Sequence, residues 1–135
     1  MRPRNSKLLV AVAFVLSLLA AGSVSADRDR WVLLGERIVT DKLDHDLVPV
    51  TARRGEFEAL RLRVEGHAVQ FHKVTVHFAN GGDQELELRE VIPAGGESRV
   101  IDLAGHDRVI RSVEFVYDSQ SLAGKSATVR VFGRR

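Results

Sequence analysis

Short runs of two-residue alternation, each closed by a glycine-containing break, constrain this chain more than any other feature. In "EFEALRLRV" (56 to 64), Leu60, Leu62 and Val64 fall to one side while Arg61 and Arg63 fall to the other. Successive side chains of an extended strand point to opposite faces, so this run describes a half-buried strand with a solvated face. A helix needs apolar residues at three- and four-residue spacing, and no convincing run of that kind follows residue 26. Eight candidate strands emerge, over 30–39, 46–50, 56–64, 68–78, 85–92, 98–103, 108–117 and 127–133. The fold class expected is all-β, a two-layer antiparallel β-sandwich of about eight short strands.

The breaks carry turn chemistry. "RRGE", "VEGH", "NGGD", "PAGGE" and "LAGHD" set glycine beside Asn, Pro or Asp, where a reversing chain needs a positive or preset φ. Neighbouring strands are therefore expected to join by hairpins or short crossings, with Gly95 and Gly96 making one hairpin turn and Gly105, His106 and Asp107 another. In "AVQFHKVTVHF" the apolar phase runs Val69, Phe71, then Val74, Val76, Phe78. The slip of one residue predicts a β-bulge at His72 and Lys73.

The first 26 residues read as a cleavable export signal. Arg2, Arg4 and Lys7 form a basic start, 14 residues from Leu8 to Ala21 form an apolar core, and "GSVSA" ends in small residues with cleavage expected after Ala26. The core is short for a membrane anchor, so no membrane span is expected after cleavage. The mature chain, 27–135, has the size of a single domain. It would be periplasmic or secreted. Its lack of cysteine removes disulfides, thiol catalysis and cysteine-ligated zinc, so packing must supply its stability.

Removing the signal takes three of the 20 basic residues and none of the 18 acidic ones, leaving 17 against 18 and a net charge of −1. Arg53, Arg54, Arg61 and Arg63 are interleaved with Glu56, Glu58 and Glu65, so no single-sign stripe forms and nucleic acid is not an expected partner.

"PAGGESRVIDLAGHDRVIRSVEFVYDS" (93 to 119) gathers glycines, a serine, aspartates, a histidine and arginines. A phosphate cradle would need a helix after its glycines, and here a strand pattern follows. Gly124, Lys125 and Ser126 end like a P-loop, but Ser119 stands where its first glycine belongs. "GESRV" departs from a nucleophile elbow at Val100. Ser98, Asp102 and His106 are spaced by four residues, about 13 Å along a strand, so they form no ready catalytic set. The residues read better as turns, with Arg99, Arg108 and Arg111 as surface partners for Glu87, Glu90 and Asp102. No catalytic residue and no cofactor are assigned.

Metal candidates are few. His72 and His77 share a face but stand about 15 Å apart along their strand. In "DKLDHD", Asp41, Asp44 and Asp46, with His45, could gather ligands at a sandwich edge, for calcium more readily than zinc. A solvated acidic loop is the alternative. Trp31 and Tyr117 could line a sugar-stacking platform, though aromatics inside apolar strands more often belong to the core.

"WVLLGERIV", "RGEFEALRLRVEG" and "IPAGGESRVIDLAGHDRVIRSVEFVYDS" resemble the YaaI-like family of small exported bacterial proteins, a domain family of unknown function. The resemblance runs from Leu33 to about Gly133. It implies a periplasmic β-sandwich and supplies no catalytic residue. Some relatives imply a cysteine pair near Thr51 and Val109, which this chain lacks.

The expected function is an exported, non-enzymatic binding or interaction module of the cell envelope. Its partner would be an envelope protein, a glycan or another copy of itself, and the sequence leaves the oligomeric state open. The alternative is a metal-dependent binding protein using the loop at 41–46. An envelope stress or assembly factor is a third reading.

Overall fold

A computed structural model describes residues 30–51 and 54–135. The expected export signal, and Arg53, lie outside the described residues. The strands are β1 (Trp31–Val39), β2 (His45–Pro49), β3 (Glu56–Phe57), β4 (Ala59–Glu65), β5 (Val69–Phe78), β6 (Asp83–Ile92), β7 (Ile101–Asp102), β8 (Arg108–Asp118) and β9 (Ala127–Arg134). A short 3-10 turn, Ser119–Leu122, precedes β9. Every pairing among these strands is antiparallel.

Sheet 1 has the order β1-β9-β4-β7, and sheet 2 has the order β2-β8-β5-β6 with β3 also paired to β8. This is the expected two-layer sandwich. The inward residues of both sheets form one core, which includes Leu60, Leu62, Val64, Phe71, Val74, Phe115 and Val131. Phe71 and Phe115 meet edge to face across neighbouring strands, with centroids 5.8 Å apart. Burial of the even positions of β4, with Arg61 and Arg63 half-exposed, follows the alternation read from the sequence.

Crossings outnumber hairpins. Only β5 and β6 are consecutive strands that pair directly, through a turn in which Gly81 takes φ +95° and Gly82 O accepts from Phe78 N at 2.8 Å. The two turns expected as hairpins prove to be crossovers. Pro93–Gly96 closes a tight turn, Gly96 N donating to Pro93 O at 2.8 Å, and carries the chain from β6 in sheet 2 towards β4 in sheet 1. Gly105–Asp107 carries it back from β7 to β8, with all three residues at positive φ. A run of turn residues marks a reversal, but only the partner strand decides which sheet the chain enters.

The expected strand over 56–64 divides at Glu58. Phe57 pairs within sheet 2 against Arg108, while Ala59 begins pairing in sheet 1. The segment 98–103 keeps only β7 as a strand, preceded by an isolated bridge from Glu97 to Arg63.

Candidate functional site

The bulge expected in β5 is present and larger than the alternation shows. Between the pairs Phe71–Glu90 and Lys73–Glu87, β5 carries one extra residue, His72, and β6 carries two, Leu88 and Arg89. The neighbouring strand β8 also skips His72. Leu88 turns into the core, and Arg89 is left in a left-handed conformation at φ +42°. A non-glycine residue there costs roughly 1–2 kcal/mol, so the surrounding pairs must hold it in place.

This double bulge opens a groove of about 600 Å³ on sheet 2. Gln70, His72, Lys73 and Arg89 line it with donors, and Glu87 and Glu90 with acceptors. Val91 and Val116 supply apolar surface. The charges are balanced and locally tethered: Arg89 Nε lies 3.0 Å from Glu87 Oε2, and Lys73 Nζ lies 3.7 Å from Glu85. Glu90 is different. Its Oε2 is buried without a hydrogen-bond partner, the nearest cation being Arg99 at 3.8 Å.

The acidic segment at 41–46 does not converge. Asp46 points inward, where Oδ1 accepts from Arg37 Nε and Oδ2 from the Tyr117 hydroxyl, each at 3.1 Å. Asp44 and His45 instead pair with each other on the surface at 3.0 Å. That contact lowers the Asp44 pKa and raises that of His45. Among the described residues, no group of three or more His, Asp or Glu is placed to hold a metal ion. The parity of Asp46 with buried Val48 and Val50 is the sequence signal that it faces the interior.

Ser98, Asp102 and His106 serve separate ends. Ser98 is buried, accepting from Leu62 N at 2.9 Å and donating to Arg99 O at 2.8 Å. His106 stands exposed in the left-handed crossover turn, and Asp102 is exposed on β7 with its carbonyl accepting from Gln84. Lys125 and Ser126 lead into β9 rather than a helix, as the sequence reading required.

His77 on β5 is a polar cluster the sequence reading did not assemble. Its Nδ1 lies 2.6 Å from Asp83 Oδ1 and its Nε2 lies 3.3 Å from Glu114 Oε2. The hydrogen bond with Asp83, aided by Glu114 and opposed by partial burial, raises the imidazole pKa.

The two aromatics weighed together lie apart. Tyr117 is a core residue, whereas Trp31 is half-buried opposite Arg134 at the start of β1, with the Arg61 guanidinium 4.3 Å from its ring centroid. The expectation of a core Trp31 is therefore corrected: it sits under arginines that themselves pair with Glu97 and Glu58. Arg99 approaches Glu90 as expected, but Arg108 stacks on Phe78 and bonds Ala104 O instead of a carboxylate.

A family model described as a domain of unknown function, DUF2541, matches residues 9–133. No curated protein matches the chain. Among solved structures, AlgX of Pseudomonas aeruginosa is similar at 15% identity and TM-score 0.49, over 77% of this chain and 26% of that one. The present chain thus spans about a quarter of AlgX. The C-terminal domain of A223, a structural protein of Sulfolobus turreted icosahedral virus, is similar at 8% identity and TM-score 0.42, over 78% and 99% of the two chains. A mutant of the family 29 carbohydrate-binding module CBM29-2 is similar at 12% identity and TM-score 0.42, over 76% and 90%. Likenesses this distant assign no function. Among the described residues, no helix is long and apolar enough to cross a membrane.

Proposed function

The chain belongs to the DUF2541 family, a domain of unknown function, and from its own surface we propose that it is an exported, non-catalytic module that binds a glycan of the cell envelope. The groove at the double bulge is the proposed site. One observation carries the reading: a concave surface holds neutral and charged donors beside the carboxylate acceptors of Glu87 and Glu90. Sugar hydroxyls both donate and accept, so they complement such a mixture, whereas a nucleic acid would need a surplus of cations. Val91 and Val116 offer apolar contact for the C–H faces of a sugar ring. The groove volume falls within the ordinary range of small-ligand sites, roughly 300–1,000 Å³.

The amino-terminal pattern, a basic start followed by a short apolar core and small residues, supports export. Cell fractionation with sequencing of the mature amino terminus tests this part, and Asp27 as the first residue is expected. Glycan binding is tested by titration calorimetry of the protein against neutral and acidic oligosaccharides, including fragments of the peptidoglycan glycan strand. At least one saccharide binds, and Arg89→Ala and Glu90→Gln each weaken it by about ten- to a hundredfold, the worth of a hydrogen bond to a charged group. Failure of the whole panel, or binding that survives both substitutions, overturns the reading.

A further inference from the structure

In a regular strand successive carbonyls point to opposite edges, so one side chain does not ordinarily reach two of them in a row. β6 departs from this at its double bulge. The Arg99 guanidinium donates from Nη2 to Glu87 O and from Nη1 to Leu88 O, each at 3.0 Å. Both carbonyls therefore face one side, because the backbone turns between them on its way into the left-handed Arg89. β6 ends the order of its sheet, and among the described residues no further strand lies beyond it to supply donors. Arg99 Nη1 also stands 3.8 Å from Glu90 Oε2. One planar fork thus touches Glu87, Leu88 and Glu90, and leaves Arg89 between them to line the groove.

Arg99 is itself held from the other sheet. Ser98 N donates to Leu62 O at 2.8 Å, while Ser98 Oγ accepts from Leu62 N at 2.9 Å and donates to Arg99 O at 2.8 Å. β4 of sheet 1, the crossover and the bulge of sheet 2 are joined by these bonds into one connected path.

We propose that Arg99 is the positioning residue of the groove: it clamps the double bulge of β6 from outside and fixes Arg89 and Glu90 where a saccharide meets them. The inference rests on the glycan reading for its ligand and on the backbone geometry alone for the clamp. A bulge leaves residues outside the ladder, and a strained residue such as Arg89 persists only where its surroundings hold it. Two hydrogen bonds from a charged donor supply that hold, being stronger than neutral ones. Lysine does not replace them, since its ammonium is a point charge on a flexible stem and lacks the fork that meets both carbonyls. A groove whose walls are preset loses less of its affinity to ordering them.

Arg99→Ala and Arg99→Lys test the clamp in two ways. In the unliganded protein, the backbone NMR shifts of Leu88, Arg89 and Glu90 move in both variants, while those of β9 stay in place. In calorimetry with the same neutral and acidic oligosaccharides, both variants bind at least about tenfold more weakly than the wild type, the equivalent of one hydrogen bond. Wild-type shifts at the bulge of Arg99→Ala overturn the clamp. Full rescue by Arg99→Lys also overturns it, since charge alone would then suffice. Bulge shifts that move with no loss of affinity overturn the positioning role. If Arg99→Ala fails to fold, Arg99→Lys gives both readings by itself. A wild type that binds none of the saccharides overturns the glycan reading, and with it the part of Arg99 in binding, while the unliganded spectra still decide the clamp.

Discussion

The Tyr117 hydroxyl donates to Asp46 Oδ2 at 3.1 Å inside the sandwich, joining β8 to the inward face of β2. Arg37 from β1 bonds the other carboxylate oxygen, so the pair fastens the edges of the two sheets. Tyr117→Phe removes a bond to a charged group and lowers stability by about 1.5–3 kcal/mol. At roughly 4–8 °C per kcal/mol the loss is read from a thermal melt. Calcium, zinc or chelator leaves the wild-type melt unchanged, because Asp46 is already committed and its neighbours face outward. Burial and the adjacent Asp46 carboxylate raise the Tyr117 pKa. As this is the chain's one tyrosine, tyrosinate absorbance during an alkaline titration appears only together with unfolding.

His77 ties stability to pH in the neutral range. Its pKa is raised in the folded protein, chiefly by the hydrogen bond with Asp83 and further by Glu114. The stabilisation is therefore complete below the unfolded value of about 6.5 and is lost as pH rises through the folded value. Urea midpoints fall across that window, and His77→Gln flattens the dependence. An NMR titration of the imidazole gives a midpoint above 6.5 in the wild type, and a midpoint at or below that value would remove the cause.

What the sequence showed and what it hid follow from strand parity. One extra residue in β5 inverts the alternation after Phe71, so the bulge at His72 and Lys73 was legible. Two extra residues in β6 restore the parity, and Leu86, Leu88 and Ile92 read as an unbroken strand although Leu88 and Arg89 stand outside the ladder. The groove was hidden for that reason. The division at Glu58 was masked by Ala59, too small to reveal that the inward phase shifts between Phe57 and Leu60. The sandwich itself was legible because its period-two signal repeats along the chain. The sheet joined by each crossover was not, since it is fixed by partners such as Leu62 and Ser98, 36 positions apart.

Arg89 separates strain from function. Glycine occupies φ +42° without the clash that a Cβ brings, so Arg89→Gly is neutral to stabilising by about 1 kcal/mol. The same change removes the guanidinium from the groove and, on the proposed function, weakens saccharide binding by about ten- to a hundredfold, as Arg89→Ala does. Arg89→Val, branched at Cβ, destabilises the fold because left-handed backbone is most costly for such residues. Urea unfolding of the three proteins beside calorimetry distinguishes these effects. A glycine variant that binds as well as the wild type would show that the strained arginine serves packing alone.

Ser98 gives the clearest contrast between a structural and a catalytic serine. Its N–H donates to Leu62 O at 2.8 Å and its Oγ accepts from Leu62 N at 2.9 Å, so backbone and side chain together supply β4 with the strand partner that β7 is too short to provide. Ser98→Ala keeps the first bond and leaves the buried Leu62 N–H without an acceptor, a loss of about 1–3 kcal/mol. Ser98→Thr retains the oxygen but adds a methyl group at a site only 6% exposed, and loses less if the crossover can yield. Hydrogen exchange at the Leu62 amide locates the effect: its protection drops in the alanine variant and is largely kept in the threonine variant. A nucleophilic serine would show the opposite pattern, with folding intact in Ser98→Ala and turnover of an ester or peptide lost.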